Sequence, residues 1–166
     1  MVFPQAPAGR EWSDSQEIAR AALDAASAEF NGDPHRTYLT GISMGGYGVW
    51  ELALAEPGRY AALVPVCGGI TPPRPERPTL YVHAVAAASD PWRAAAQGLR
   101  DVPSWIFHGA RDDVVRPEQS RRMAESLQAA GATDSRYTEF PDANHNSWDV
   151  AYATAALWVW LFAQRR

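Results

Sequence analysis

The chain has 166 residues and a formal charge of −4, and its 15 cationic side chains, all arginine, are scattered along its length. That length suits one domain with a core of its own, and an acidic balance with no basic cluster argues against nucleic acid or an anionic membrane as partner. The single cysteine, Cys67, excludes an internal disulfide and fits a reducing compartment.

Met1-Val2-Phe3-Pro4-Gln5 reads as the tail of a strand, followed by a Pro/Gly loop over Ala6 to Arg10. Neither has the basic start and apolar run of a secretory signal, so a complete chain would be cytoplasmic. Ser13 or Asp14, with Gln16 or Glu17 three residues on, forms a capping box for the first helix. Ile18, Ala22, Ala25, Ala26 and Phe30 recur at helical spacing, and Asn31-Gly32-Asp33-Pro34 ends that helix.

Arg36 to Ile42, rich in β-branched and aromatic residues, is a buried strand. It runs into Gly41-Ile42-Ser43-Met44-Gly45, a G-x-S-x-G pattern. In the strand-turn-helix setting that pattern exposes a serine hydroxyl on a sharp turn, where a side chain at Gly41 or Gly45 would crowd the backbone. The helix that follows, to Ala55, stops at Glu56-Pro57-Gly58.

Tyr60 to Val66 is a further strand whose end Pro65 marks, because proline is disfavoured inside a central strand. Cys67 follows as a small apolar residue at that strand end. Thr71 to Arg100 is irregular, with four prolines between Pro72 and Pro78, an apolar stretch over Leu80 to Ala88 and a short helix opening at Asp90-Pro91-Trp92. It occupies the place of a lid-like excursion.

Val102 to Phe107 is a strand, and a helix follows from about Pro117 to Ala130 with Gly131 after its end. Ser135 to Phe140 is the last strand, and Ser147 to Gln164 the closing helix. The uncharged apolar run within it, Val150 to Ala163, is too short to span a bilayer. The alternation predicts about five mostly parallel strands with helices on both faces, in one domain over residues 1–166. Reactive groups in such sheets gather at the carboxyl ends of the strands.

Ser43 needs a base, since a serine hydroxyl is no nucleophile unaided. His35 lies at the wrong end of its strand, and His83 lies in an apolar stretch. His108 sits at a strand end ahead of the acidic loop, where a structural hydrogen-bonding role suits it. His145, in the loop after the last strand, can reach over Ser43. An imidazole in this role also needs a carboxylate on its other nitrogen. Asp112 and Asp113 both follow the third strand and give the chain order Ser, Asp, His. Between these neighbours the residue pattern alone leaves the choice open. No His/Cys/Asp/Glu spacing suggests a metal site, and no cofactor is expected.

Four ordered blocks carry a family resemblance: Tyr38 to Gly48, Val64 to Gly69, Trp105 to Val115, and His145-Asn146-Ser147-Trp148. They resemble the α/β-hydrolase esterases related to polyhydroxybutyrate depolymerases, feruloyl esterases and prolyl-oligopeptidase-like catalytic domains. The resemblance implies carboxylic ester hydrolysis through an acyl-enzyme. It also implies Asp112 as the acid, from the H-G-x-x-D-x-x-V pattern, with Asp113 as fallback.

Relatives carry three strands ahead of the segment present here, and a loop after the third supplies half of their oxyanion hole. The expected fold is therefore a truncated α/β-hydrolase fold. The Met44 N–H is the one oxyanion donor retained, and the backbone of Gln5 to Ala8 is the candidate for a second. Losing one donor costs roughly 10²–10³ in turnover, which leaves a non-catalytic assembly or binding module as the alternative to an esterase.

The sheet edge left bare calls either for Met1 to Gln5 to close onto the Ser43 strand or for a homodimer to cover it. The expected substrate is a small short-chain or aromatic ester, with Trp148 and Trp92 placed to line its site.

Overall fold

The computed structural model describes residues 1–166. Four strands, β1 (Tyr38–Ile42), β2 (Ala62–Val66), β3 (Ser104–Gly109) and β4 (Ser135–Phe140), form one sheet in the order β1-β2-β3-β4. All three pairings are parallel. Six α-helices surround it: α1 (Gln16–Glu29), α2 (Met44–Ala55), α3 (Pro91–Leu99), α4 (Glu118–Ala129), α5 (Trp148–Ala153) and α6 (Ala155–Ala163).

Strand order equals chain order, so right-handed crossovers through α2, α3 and α4 put these helices on the same face. Two cores result, one on each face, because strand side chains alternate. Leu63 and Ile106 point into the larger core with Tyr47, Trp50, Ala95, Leu99, Met123 and Leu127. Ala62, Val64, Val66 and Phe107 point the other way, onto Leu157, Trp160 and Leu161 of α6. Each fully buried aliphatic or aromatic side chain contributes ~1.5–3 kcal/mol. These two layers therefore carry most of the stability.

Several expectations change at this level. The sheet has four strands, not five: Met1 to Gln5 are exposed and form no strand. The segment makes no main-chain hydrogen bond to β1, so it does not close onto the Ser43 strand. The capping box of α1 is also absent. The cap residue is Ser15, without a side-chain bond; Ser13 Oγ donates instead to the Tyr81 carbonyl at 2.7 Å, and Gln16 Nε2 to Glu51 Oε1 at 2.8 Å. Long-range partners have taken the groups that a local cap would use.

Pro65 lies inside β2 rather than at its end, paired with Gly41. Leu63 and Cys67 donate their N–H groups toward β3, to Pro103 and Phe107, so Pro65, halfway between them, would donate the same way and cannot. The β2–β3 ladder accordingly shows partners at Leu63↔Ser104 and Val66↔Phe107 with a gap between. The proline interrupts one side of the strand and leaves the β1 side intact.

The closing helix divides into α5 and α6 at Thr154, whose backbone is extended (φ −72°, ψ 103°). Between residues 71 and 90 no strand forms, and Leu80, Val82 and Val85 are buried in the larger core. No helix is long and apolar enough to cross a membrane.

Leu157 is fully buried between α6 and the sheet. Leu157→Ala is expected to cost about 2–5 kcal/mol, read as a lowered midpoint in thermal or urea unfolding. Phe30→Ala, at a residue 75% exposed, is expected to stay within ~0.5 kcal/mol.

Candidate active site

The carboxyl ends of β1 and β3 and the loop after β4 build the site. Ser43 ends β1 and caps α2 with φ 52° and ψ −116°, a backbone state that costs a non-glycine residue ~1–3 kcal/mol. The turn is held from both sides. The Ser43 N–H donates to the Val66 carbonyl at 2.9 Å, and the Ser43 carbonyl accepts from the Gly46 N–H at 2.8 Å.

Gly41 is essential to this arrangement: a Cβ there would lie 2.3 Å from the Gly45 carbonyl oxygen. Gly45 departs from the expectation of crowding, because a Cβ on it would meet no atom within 4 Å. It is only partly buried, and its Cα direction faces open space.

The second element is the loop after β3. Gly109 lets the His145 loop dock against it, since a Cβ there would lie 2.3 Å from the Asn144 carbonyl oxygen. Arg111 N–H donates to the Ala143 carbonyl at 2.9 Å and fixes the same approach. Within the loop, Asp112 is buried while Asp113 is exposed.

Asp112 Oδ1 accepts the N–H groups of Val114 and Val115, both at 2.9 Å. Oδ2 accepts from His145 Nδ1 at 2.7 Å and His108 Nε2 at 3.1 Å. Burial by itself would raise this carboxyl's pKa, but the bonds from His108, His145, Val115 and Val114 outweigh it and hold the pKa well below the usual carboxylate range.

His145 Nε2 is 2.9 Å from Ser43 Oγ. Its Nδ1 faces a carboxylate and so carries the proton, leaving the Nε2 lone pair to accept from the serine hydroxyl. Hydroxyl, imidazole and carboxylate thus form one continuous hydrogen-bonded line, from residues that stand 102 and 33 positions apart in pairs. Such a line is arranged to remove a proton from Oγ as Oγ attacks an electrophilic carbon.

His108 proves more involved than a generic structural histidine. It is fully buried, its Nε2 donates to the Val115 carbonyl at 2.9 Å as well as to Asp112, and Ser120 Oγ lies 2.7 Å from its Nδ1. It is a positioning group for Asp112, and the spacing of His108 and Asp112 four residues apart is the signal that marks it.

Trp148 lies edge-on to His145, with ring centroids 5.7 Å apart and planes at 90°. Trp92 is not brought there. It is buried in the larger core with the Arg122 guanidinium 3.5 Å over its ring, because α3 packs its inner face against α4.

The Met44 N–H stands at the first position of α2, where no intrahelical acceptor exists. Gln5 to Ala8, the candidate for a second donor, makes no hydrogen bond to the elbow. Cys67 is buried beside these groups at φ 42°, and burial pushes its thiol up to about 12. Its Sγ lies within 4.8 Å of ligand atoms on Asp112 and His145, but those atoms already bond each other and the thiol stays protonated. The group is therefore a continuous hydrogen-bonded line with a protonated thiol beside it.

A parallel sheet with helices on both faces, a strained serine on a strand-to-helix turn and an acid and histidine on the following strand ends define an α/β-hydrolase. The chain belongs to the prolyl oligopeptidase family, whose model matches residues 76–164. That range contains Asp112 and His145 and leaves Ser43 outside. The chain is also similar to a poly(3-hydroxyoctanoate) depolymerase of Pseudomonas fluorescens, 29% identical over 119 residues, covering 55% of this chain and 43% of the depolymerase.

Among solved structures it resembles a thermostable esterase with a TM-score of 0.79 and 29% identity, covering 98% of this chain and 43% of that one. It shares its fold with the esterase PE8, at a TM-score of 0.67 and 18% identity over 96% of this chain and 69% of the other. The chain thus spans less than half the length of the depolymerase it matches.

Two outcomes follow from this geometry. Gly41→Ala is expected to lower the melting temperature sharply or prevent folding, whereas Gly45→Ala leaves it unchanged or raises it, as Ala is the better helix former; differential scanning calorimetry separates them. Asp112→Asn is expected to cost about 3 kcal/mol at neutral pH. Because the folded carboxyl is depressed below its ordinary value of 3.8, the wild type's advantage is full above that pH. It is lost progressively as the pH falls toward the folded value, so the gap between wild-type and variant melts should be narrower at pH 3 than at pH 7.

Proposed function

We propose that this chain is a serine carboxylic-ester hydrolase. The observation that carries the reading is the unbroken line Ser43 Oγ, His145 Nε2, His145 Nδ1, Asp112 Oδ2, with contacts of 2.9 and 2.7 Å. Ser43 Oγ attacks the ester carbonyl while His145 Nε2 takes its proton. Asp112 holds the imidazole in the required tautomer and stabilises the imidazolium that forms. His145 then returns the proton to the departing alkoxide, leaving an acyl-serine. Water, deprotonated by the same imidazole, releases the acid and restores Ser43.

The developing oxyanion is met by the Met44 N–H, helped by the positive end of the α2 dipole. With one donor in place, turnover should be slower by roughly 10²–10³ than a complete oxyanion hole allows. Trp148, edge-on to His145, offers an aromatic surface beside the reacting groups and suits a short acyl chain or an aromatic ester. The resemblance to a polyester depolymerase and to esterases supports ester rather than amide as the substrate class.

A non-catalytic role in assembly or binding is the second reading, favoured by the single oxyanion donor. Turnover of p-nitrophenyl acetate and butyrate decides between them. The wild type is expected to hydrolyse both with burst kinetics, and Ser43→Ala or His145→Ala to fall to the buffer rate. If wild type and Ser43→Ala run at the same rate, the esterase reading fails and the second takes its place.

A further inference from the structure

The first turn of α4 reaches the carboxyl ends of three strands with three consecutive side chains. Gln119 takes the segment after β2: its Oε1 accepts the Ile70 N–H at 3.0 Å and the Thr71 N–H at 3.3 Å, and its Nε2 donates to Thr71 Oγ1 at 2.9 Å. Ser120 Oγ lies 2.7 Å from Nδ1 of His108 at the end of β3. Arg121 binds Glu139 of β4 through Nε and Nη2, at 2.8 and 2.7 Å. Of the three, Ser120 is the buried one.

His108 is fully buried, so each of its ring nitrogens needs a partner of the right kind. Nε2 faces two acceptors, Asp112 Oδ2 at 3.1 Å and the Val115 carbonyl at 2.9 Å, and therefore carries a hydrogen. Nδ1 faces the Ser120 hydroxyl, which can donate to a neutral ring or accept from an imidazolium. The surrounding charges separate these cases, because a buried cation needs a counter-ion of its own.

Two carboxylates face His108, and both are committed elsewhere. Glu139 is its register partner on β4, and the hydrogen bonds from Arg121 hold that carboxyl below the usual range. Asp112 accepts from His145 Nδ1 at 2.7 Å. No anion is left over for a charged His108.

We propose that Ser120 is a positioning residue for the Ser43–His145–Asp112 line: its hydroxyl donates to His108 Nδ1, holds that ring in the neutral Nε2–H tautomer, and so keeps the charge of Asp112 for His145. The catalytic part of this proposal rests on the esterase reading. His145 gains a proton when Ser43 Oγ attacks, and Asp112 stabilises the imidazolium through its Nδ1–H. His108 shares the same oxygen, Oδ2. A neutral His108 steadies Oδ2 with one hydrogen bond and leaves the ion pair to His145. A charged His108 would set two cations on one carboxylate and weaken its hold on the second.

The two imidazoles therefore take opposite tautomers on one oxygen, Nε2–H on His108 and Nδ1–H on His145. Gln119 and Arg121 fix the turn on either side of Ser120, and Arg121 also keeps Glu139 from pairing with His108. Without the hydroxyl, Nδ1 is a buried acceptor with no donor. The ring relieves that by turning away from Asp112 or by taking up a proton, and either change reaches His145 through Oδ2.

Heteronuclear NMR of the histidine side-chain nitrogens in the full chain at neutral pH reads the tautomers, with single His→Gln variants for assignment. The wild type is expected to show neutral Nε2–H for His108 and Nδ1–H for His145. In Ser120→Ala, folded by far-UV circular dichroism, His108 is expected to leave that form and the His145 Nδ1–H proton resonance to move. Its kcat for p-nitrophenyl acetate is expected to fall about tenfold with KM unchanged, the scale of one hydrogen bond. Ser120→Thr, which keeps the hydroxyl, is expected to retain both wild-type tautomers. A wild-type His108 that is charged or protonated on Nδ1 alone overturns the proposal without any variant. So does a Ser120→Ala chain with unchanged spectra, or a Ser120→Thr chain that loses the His108 tautomer as Ser120→Ala does. If Ser43→Ala runs at the wild-type rate, the esterase reading fails, and the spectra still decide what Ser120 does to His108 and Asp112.

Discussion

The carbonyl oxygen of Gly45 occupies the space in which a side chain on residue 41 would begin, 2.3 Å from the Cβ that glycine lacks. That close approach lets the first turn of α2 fold back on the end of β1, and it forces Ser43 between them into its positive-φ state. The cost of the strain, on the order of a few kcal/mol, is offset by the two main-chain bonds of Ser43 and by the buried run of α2 behind it, from Gly46 to Ala53. Ser43 Oγ reaches His145 because the backbone beneath it cannot relax.

The acid is held with comparable rigidity by different means. Asp112 takes two backbone N–H groups on one oxygen and two imidazoles on the other, so a buried carboxylate has a donor on every side. His108 is fastened in turn by Ser120 and the Val115 carbonyl. This arrangement ties β3, the start of α4 and the loop after β4 into one unit. The strongly depressed Asp112 pKa is the electrostatic record of that fastening. A carboxylate satisfied this fully can stabilise an imidazolium without itself taking the proton.

The same sheet that supplies the site ends abruptly beside it. β1 leads into the Ser43 turn yet has a neighbour on one side only, and α6 turns apolar side chains to solvent next to it. The bare β1 flank and the Met44 N–H at the start of α2 lie at the same end of the sheet order.

What the amino-acid sequence determined by itself was local in origin. The G-x-S-x-G turn, the β-branched strand before it and the last strand from Ser135 to Phe140 follow from backbone sterics and side-chain periodicity within short windows, whereas the order Ser, Asp, His was read from the family resemblance. The reading failed where a distant group outcompeted a local one. Ser13 bonds Tyr81 rather than capping α1, Trp92 packs under Arg122 rather than beside His145, and Pro65 sits within a strand because the β1 side of the ladder does not need its N–H.

Only tertiary structure decided between Asp112 and Asp113, gave His108 its place on the carboxylate, and left the β1 edge and the apolar outer side of α6 exposed. Each depends on which chains meet across the sheet, as with Ser43 and His145, 102 residues apart. No window of sequence contains both members of such a contact, so its geometry is settled by packing.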